Sequence, residues 1–444
     1  MVRHSRGKRS DINERWTPQG AVRRFIASFD EYKTFFVTKT RSSVSQAQMY
    51  LRGLMQARRR NIERIRDVVP GSDEQALHHF ISNSPWDHRA VLDQVARDAD
   101  ALLGGTEDSF LLIDETGVPK KGRDSVGVAR QWCGRLGKVD NCQTAVCASL
   151  GKESIATLID TGLFLPKEWT QDPARMTAVG VPEAFHSYRT KHELALDLIE
   201  RALANGVRFS WIGFDGFYGD NGQFLRMLEG TGLTFVGDVH CDQYIWTADP
   251  TVDKTAKRMR ADAWVASQSA DAWRRIETRR GTKGPMEVDV LHGRVWLYQK
   301  GDEHGYEWHL IVARQPNRLK YTLSNAAAET SVERLAYMQG QRYFVEHALE
   351  DAKQQGGFGE YQVRGWRGWH HHAALVMMAM FFITRERLEI DEPVLTAPDV
   401  QMMLVHYLPR RDRTDQDLLD LLRTRFHRRG QPFPDDPPNV TKQN

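Results

Sequence analysis

The sequence predicts an α/β protein whose mixed sheet is preceded by an all-helical region and interrupted by a β-rich block. Three observations carry that prediction. Apolar side chains recur at helical spacing from Pro18 to Gly104. Apolar runs then alternate with amphipathic stretches, as in Phe209–Phe214, Gln223–Glu229 and Leu233–Val239. Between about His240 and Asn325 the pattern changes to short strands parted by glycine-containing turns.

With 41% hydrophobic, 10% aromatic and 27% charged residues, the 444-residue chain can bury a real core, which excludes a wholly disordered or fibrous protein. Cys133, Cys142, Cys147 and Cys241 form no C-x-x-C pair and no zinc-like spacing, so reduced thiols are expected. The longest apolar run, Ala373–Thr384, is short of the roughly 20 residues that span a bilayer. The first ten residues are charged with no apolar stretch of a secretory signal, and a soluble, cytoplasmic protein without membrane contact is expected. The net charge of +3 hides an asymmetry, since residues 1–70 hold 16 Lys and Arg against 6 Asp and Glu. A basic end on an acidic remainder points to a polyanion partner, or to a solvated helix face.

In chain order, residues 1–15 are polar, basic and expected to be disordered until bound. Ser45–Val68 reads as one helix, with Met49, Leu51, Leu54, Met55, Ile62 and Ile65 near helical spacing. Its other side carries Arg52, Arg58, Arg59, Arg60, Arg64 and Arg66, and Pro70-Gly71 ends it. Helices follow around Asp73–Ile81 and Trp86–Leu103, the second opened by Ser84 and Pro85. Ser109–Glu115 reads as a buried strand, Asn141–Leu150 and Glu153–Leu165 as a hairpin, and Lys191–Asn205 as a helix. The β-rich block holds strands at Met286–Leu291, Arg294–Lys300 and Glu307–Arg314, with His292-Gly293 as a turn, and looks like an insertion rather than a continuation of the α/β layer. Helices resume from Ser331 to Gln355 and from Trp366 to Leu388, with a last one around Asp415–Phe426 before a low-order end. The expected units are a helical region 1–104, a core 105–239, the insertion 240–325, C-terminal core helices 326–390 and a tail 391–444.

Asp114 ends the run FLLI and Asp215 ends SWIGF. A carboxylate closing a buried strand is costly unless it is paired, hydrogen-bonded or bound to a metal. On neighbouring strands two such acids make a hard-oxygen site suited to Mg²⁺; alternatively each only caps the Asp-x-x-Gly turn that follows. Glu346, Glu350 and Lys353 fall at i, i+4 and i+7 of one helical face. They either complete such a site and reach a phosphate, or form a solvated ion-pair face.

Several stretches resemble the DDE transposases of bacterial insertion sequences, most narrowly insertion-sequence family 701, a relative of the family 4 YREK group. IDETGVPKKGRDSVGVARQWCGRLGKVDNCQTAV resembles the first catalytic segment, and IGFDGFYGDNGQFLRMLEGTGLTFVGDV the second. RYFVEHALEDAKQQGGFGEYQVRGWRGWHHH resembles the third. Upstream, YLRGLMQARRRNIERI and SPWDHRAV resemble the family's N-terminal region, so the likeness runs in order over most of residues 40–385. The signature Y-x-x-R-x-x-x-E-x-x-x-x-x-x-K places its Arg on Arg342, its Glu on Glu346 and its Lys on Lys353. Its Tyr falls on Gln339, the usual following tryptophan is Tyr343, and QQGGF replaces a more apolar loop; Gln339 could still bond a phosphate.

The resemblance implies an RNase H-like core with Asp114 on its first strand and Asp215 after its fourth, and a β-rich insertion before the glutamate. It implies Asp114, Asp215 and Glu346 as catalytic acids holding two Mg²⁺ ions, with Mn²⁺ as a substitute. It also implies cut-and-paste transposition through a hairpin, with double-stranded terminal inverted repeats and target DNA as partners and a homodimer on paired ends. Arg342 and Lys353 would hold end phosphates, and Arg58, Arg59 and Arg60 of the basic region would bind the repeats. Lys120, Lys121 and Arg123 are phosphate contacts or a solvated loop. Arg364, Trp366, Arg367 and Trp369 grip DNA, or the tryptophans are core. Trp246 could support a flipped base. His370, His371 and His372 point in different directions on a helix, which argues against a shared metal. Two rivals remain: an RNase H-fold nuclease without strand transfer, and a domesticated DNA-binding protein that has lost catalysis.

Overall fold

A computed structural model describes residues 17–281, 284–389, 395–412, 414–431 and 433–434. The expected disordered start and most of the low-order end lie outside the described residues. Among the described residues the first α-helices are α1 (Pro18–Tyr32), α2 (Val44–Gln56), α3 (Ile62–Val68), α4 (Glu74–Ser82) and α5 (His88–Leu103). The expected single helix over Ser45–Val68 is broken between α2 and α3. Ala57 turns extended, and the Asn61 side chain caps α3 by accepting from the Arg64 N–H at 3.0 Å. Asp87, not Ser84, caps α5.

The core strands are β1 (Ser109–Pro119), β2 (Ala129–Cys133), β3 (Lys138–Lys152) and β4 (Ile155–Leu163), then helix α6 (Lys191–Ala204). Next come β5 (Trp211–Phe214), α7 (Gly222–Gly230) and β6 (Phe235–Val239). Around β1 the order is β4-β3-β1-β5-β6, with β3 antiparallel to its neighbours and β1, β5 and β6 parallel. Where β1 and β5 pair, Phe110–Ile113 and Trp211–Phe214 are buried throughout, as in strands covered on both faces.

The β-rich block comprises β7 (Tyr244–Trp246), β8 (Arg258–Arg260), β9 (Arg274–Gly281), β10 (Gly284–Leu297), β11 (Tyr306–Gln315) and β12 (Arg318–Ser324). It is hydrogen-bonded to the core: β12 runs antiparallel to β6, so one twelve-stranded sheet crosses both. The pairing covers an edge that β6 would otherwise leave open. His292-Gly293 is no turn but the middle of β10, paired with Ile311 and Leu310. The glycine there admits the Trp264 ring against the strand.

The chain closes with α8 (Val332–Gln341), α9 (Tyr343–Gln354), α10 (Trp366–Leu388), α11 (Ala397–Tyr407) and α12 (Asp415–Arg428). Helix α10 is buried on all sides, as an apolar helix without a polar face must be. The N-terminal helices gather on it: Phe25 meets Phe382 edge-on, Trp86 stacks on His371 at 3.8 Å, and Tyr50 hydrogen-bonds His372 at 2.9 Å. Packing is continuous from Ala21 to Leu408, with no gap at residue 104. Among the described residues no helix is long and apolar enough to cross a membrane.

Arg24 of α1 grips the fully buried Glu386 of α10 in a fork, Nε and Nη2 donating at 2.8 and 2.7 Å. Glu386→Ala should therefore cost about 2–3 kcal/mol, by analogy with other charge-assisted bonds. Thermal melting against the wild type checks it.

Candidate active site

Parallel register brings the acids together. Ile113 pairs with Phe214 across β1 and β5, and Phe214 pairs with Gly237 across β5 and β6. The next residue on each strand is an aspartate, so Asp114, Asp215 and Asp238 stand side by side at one level. Asp215 leaves β5 as the cap of a short turn, its carboxylate accepting from the Phe217 N–H at 3.1 Å. Gly219 lets that turn close on β6, since a Cβ there would lie 1.9 Å from the Asp238 carbonyl oxygen. Helix α9 faces the row with Glu346, and Arg342 stands at the α8–α9 junction.

Arg342 ties the group together. Its Nε lies 2.6 Å from Asp238 and its Nη2 donates to Glu346 at 3.0 Å. Burial opposes its charge, but Asp238, Asp114, Glu346 and Asp215 outweigh burial and hold the guanidinium charged. Asp238 is also paired with Lys320 at 3.3 Å and accepts from the Thr322 hydroxyl at 2.9 Å.

The two central acids feel the opposite pressure. Burial raises the Asp114 pKa and Asp215 adds to the rise, while Arg342 and the Glu115 N–H resist it. Burial likewise raises Asp215, against Arg342. Behind them the Tyr218 hydroxyl is buried without a hydrogen-bond partner, and burial plus the charges of Glu115, Asp114 and Asp215 push its pKa well up.

Among the described residues no three His, Cys, Asp or Glu side chains converge closely enough to hold a metal ion. The donors nevertheless suit one. They are hard oxygens, two are desolvated carboxylates side by side, and an orphaned hydroxyl lies next to them. Here Arg342 supplies the neutralising charge, and it holds Glu346, about half exposed, on its own side.

Other expected contacts divide. Lys353 is half-buried; burial lowers its pKa, while Cys147 and Asp114 oppose and Arg135 assists. Lys120 is not a solvated loop residue: it donates to the Tyr361 carbonyl at 3.1 Å, sits over that ring, and burial lowers its pKa to about 8. Lys121 is exposed, and Arg364 is exposed beside Asp124 at 3.0 Å.

Arg60 points inward, contrary to expectation. It is 8% exposed, paired with Glu360 and bonded to the Leu54 carbonyl, so it ties α2 to the loop after α9. Arg64 and Arg66 are paired with Asp67. Arg58 and Arg59 alone of that run are exposed, lining a cleft of about 590 Å³ with Arg64, Asp67, Val68 and Glu360.

Gln339 cannot serve a phosphate where it lies, because it is buried and donates to the Thr322 hydroxyl at 2.7 Å. Trp366 and Trp369 are core. His370, His371 and His372 are buried against main-chain carbonyls and hold nothing in common. Trp246 is half-buried on β7, its ring edge-on to Tyr298. Tyr298 also lines a cavity of about 450 Å³, with Arg226, Tyr244, Arg258 and Trp308 around it.

Sequence reasoning passed over Asp238 and Lys320. Asp238 carried the signal that found the other two, an acid closing an apolar strand, here FVGD. Lys320 carried none.

Residues 32–285, more than half of the chain, match the DDE superfamily endonuclease family, and the chain belongs to that family. It is 26% identical over 229 residues to a protein of Microchaete diplosiphon described as the probable transposase for insertion sequence element IS701. That match covers 51% of this chain and 57% of the relative, so little more than half of the curated relative's length is spanned.

Burial and the like charge of Asp215 both disfavour a charged Asp114 and push its pKa up to about 7. Asp114→Asn should therefore raise the melting temperature of the metal-free protein, by about 0.5–2 kcal/mol of stability. Calorimetry in EDTA decides it, and a lower melting temperature would contradict the electrostatic account.

Proposed function

We propose that the protein is an insertion-sequence transposase that cuts and joins DNA at the ends of a mobile element, with Asp114, Asp215 and Glu346 as its DDE site. The observation that carries this reading is the level row of aspartates on β1, after β5 and on β6, facing Glu346 across Arg342. The order β4-β3-β1-β5-β6, with β3 alone reversed, supports an RNase H-like core. With β2 set aside as an accessory strand, Asp215 follows the fourth core strand. The block 240–325 is read as the insertion, and residues 1–104 as the part that recognises terminal inverted repeats.

Asp114 and Asp215 would share two Mg²⁺ ions, or Mn²⁺ in their place, and Glu346 would ligate the second. The chemistry such ions supply when bound is activation of the attacking oxygen and stabilisation of the leaving oxygen in an in-line displacement at phosphorus. The chain's own groups position the DNA. Arg342, released by Glu346 and still anchored on Asp238, can turn its Nη edge to a phosphate oxygen. Lys353 brings a half-desolvated ammonium to the same place, and Lys121 and Arg364 stand exposed for the flanking backbone.

Water attacking phosphorus breaks the P–O3′ bond and frees a 3′-hydroxyl. In a hairpin pathway that hydroxyl attacks the opposite-strand phosphorus and displaces the 3′-oxygen of the flanking DNA. Water hydrolyses the hairpin phosphodiester to regenerate the 3′-hydroxyl and leave a 5′-phosphate. The hydroxyl then attacks a target phosphorus and displaces a target 3′-oxygen. Trp246, beside Tyr298, would take an unstacked base at the hairpin, and two protomers would hold paired ends.

Asp114→Ala, Asp215→Ala and Glu346→Ala should each abolish metal-dependent cleavage of a duplex carrying the element's ends, while end binding persists. A wild-type protein that binds but never cuts in Mg²⁺ or Mn²⁺ would instead be a silent DNA-binding protein. Cutting without joined products would make it a plain nuclease.

Exchanging Arg58 and Arg59 for Gln should flatten the salt dependence of binding by up to about 0.9 log units per lost phosphate contact. Arg60→Gln should lower stability and leave that slope alone. A titration across ionic strengths, with melting curves alongside, separates the two.

A further inference from the structure

The β2–β3 hairpin turns through Gly134–Leu136 and Gly137, whose φ of 62° closes the reversal. Cys133 faces inward and is fully buried. A Cβ on Gly117 would lie 2.9 Å from its sulfur, so the glycine lets the hairpin fold down onto β1 three residues past Asp114. Trp132 and Val139 are register partners on the hairpin, and both face out. Trp132, Val139 and Leu136 are 54%, 51% and 42% exposed.

Three large apolar side chains on one projecting turn are costly in water and mark a contact surface. Its rim says for what. Arg130, Arg135 and Lys138 are exposed around the trio, and Asp140, paired with Lys138, is the only acid between residues 125 and 152. A partner must therefore offer dense negative charge and, between the charges, flat apolar faces. Duplex DNA has both: phosphates at the edge and base faces inside. The hairpin also lies beside the acids, because Cys133 packs on Gly117, three residues past Asp114 on β1.

We propose that the β2–β3 hairpin is a DNA wedge, with Trp132 inserting at an unstacked base step beside the cut while Arg135 and Lys138 hold the flanking phosphates. The inference rests on the reading that Asp114 and its partners act on DNA. It assigns to the hairpin the opening of the duplex next to the site, separate from the repeat recognition given to the basic helices.

The test uses the full chain and a duplex carrying the element's end, perfectly paired or with a mismatch near the cleavage position. Binding is read by anisotropy in Ca²⁺. Trp132→Ala should weaken binding about tenfold, in keeping with the loss of one base–aromatic stack, and Trp132→Phe should recover most of it. The mismatch should help the wild type, because unstacking is already done, and should help Trp132→Ala less. Arg135→Gln with Lys138→Gln should lower the salt slope by up to about 1.8. Since these side chains are exposed, melting temperatures should stay near the wild-type value.

Trp132→Ala binding both duplexes as the wild type does would overturn the wedge and leave the DNA reading standing. A Trp132→Ala change in sedimentation, with DNA binding intact, would overturn it in favour of a second copy on this surface. Failure of the wild type itself to bind either duplex would sink the DNA reading.

Discussion

Repulsion among carboxylates that the backbone forces together is the constraint around which this molecule is built. Parallel pairing of β1, β5 and β6 leaves Asp114, Asp215 and Asp238 no choice of level, because each is the residue after a register partner. Burial makes their charges expensive, and one guanidinium, Arg342, offsets that expense from a helix junction more than a hundred residues later. Arg342 is thus the cation on which the row depends, and it also holds Glu346 opposite the row.

The rest of the fold keeps Arg342 and Glu346 facing the aspartates. Helix α10 acts as the spine: the N-terminal helices, α11 and β4 pack on it, and Arg24, Trp86 and Tyr50 reach it through specific polar or ring contacts. Arg60 and Glu360 fasten the basic helices to the loop just beyond α9. On the other flank, β12 joins the inserted strands to β6 and brings Lys320 and Thr322 to Asp238. The β-rich block therefore takes part in the charge balance of the acids, through hydrogen-bonded continuity of one sheet.

Much of this was legible in the chain. The apolar runs that lead to Asp114 and Asp215, the amphipathic α6 and the apolar α10 follow from periodicity and from the cost of burying an acid. But β1 runs on to Pro119 through Gly117, where Asp-x-x-Gly suggested a turn. Breaks were harder. The α2–α3 interruption depends on Glu360, which accepts from the Arg60 N–H at 2.6 Å from 300 residues away, and local pattern carries no trace of it. His292-Gly293 resembled a turn because glycine usually marks one, whereas here it makes room for an indole that lies elsewhere in sequence. The arginine run misled for a similar reason: helical spacing gives the direction of a side chain, not the acid waiting for it.

The sequence by itself determined the alternation of elements, the acids that close apolar strands and the family motifs in their order, because these are properties of short stretches. Only the tertiary structure decided which arginines stay in solvent, that Asp238 joins the row and that Arg342 stands among the acids. Those outcomes depend on register between strands and on ion pairs across hundreds of residues. Both are fixed by packing that no local window contains.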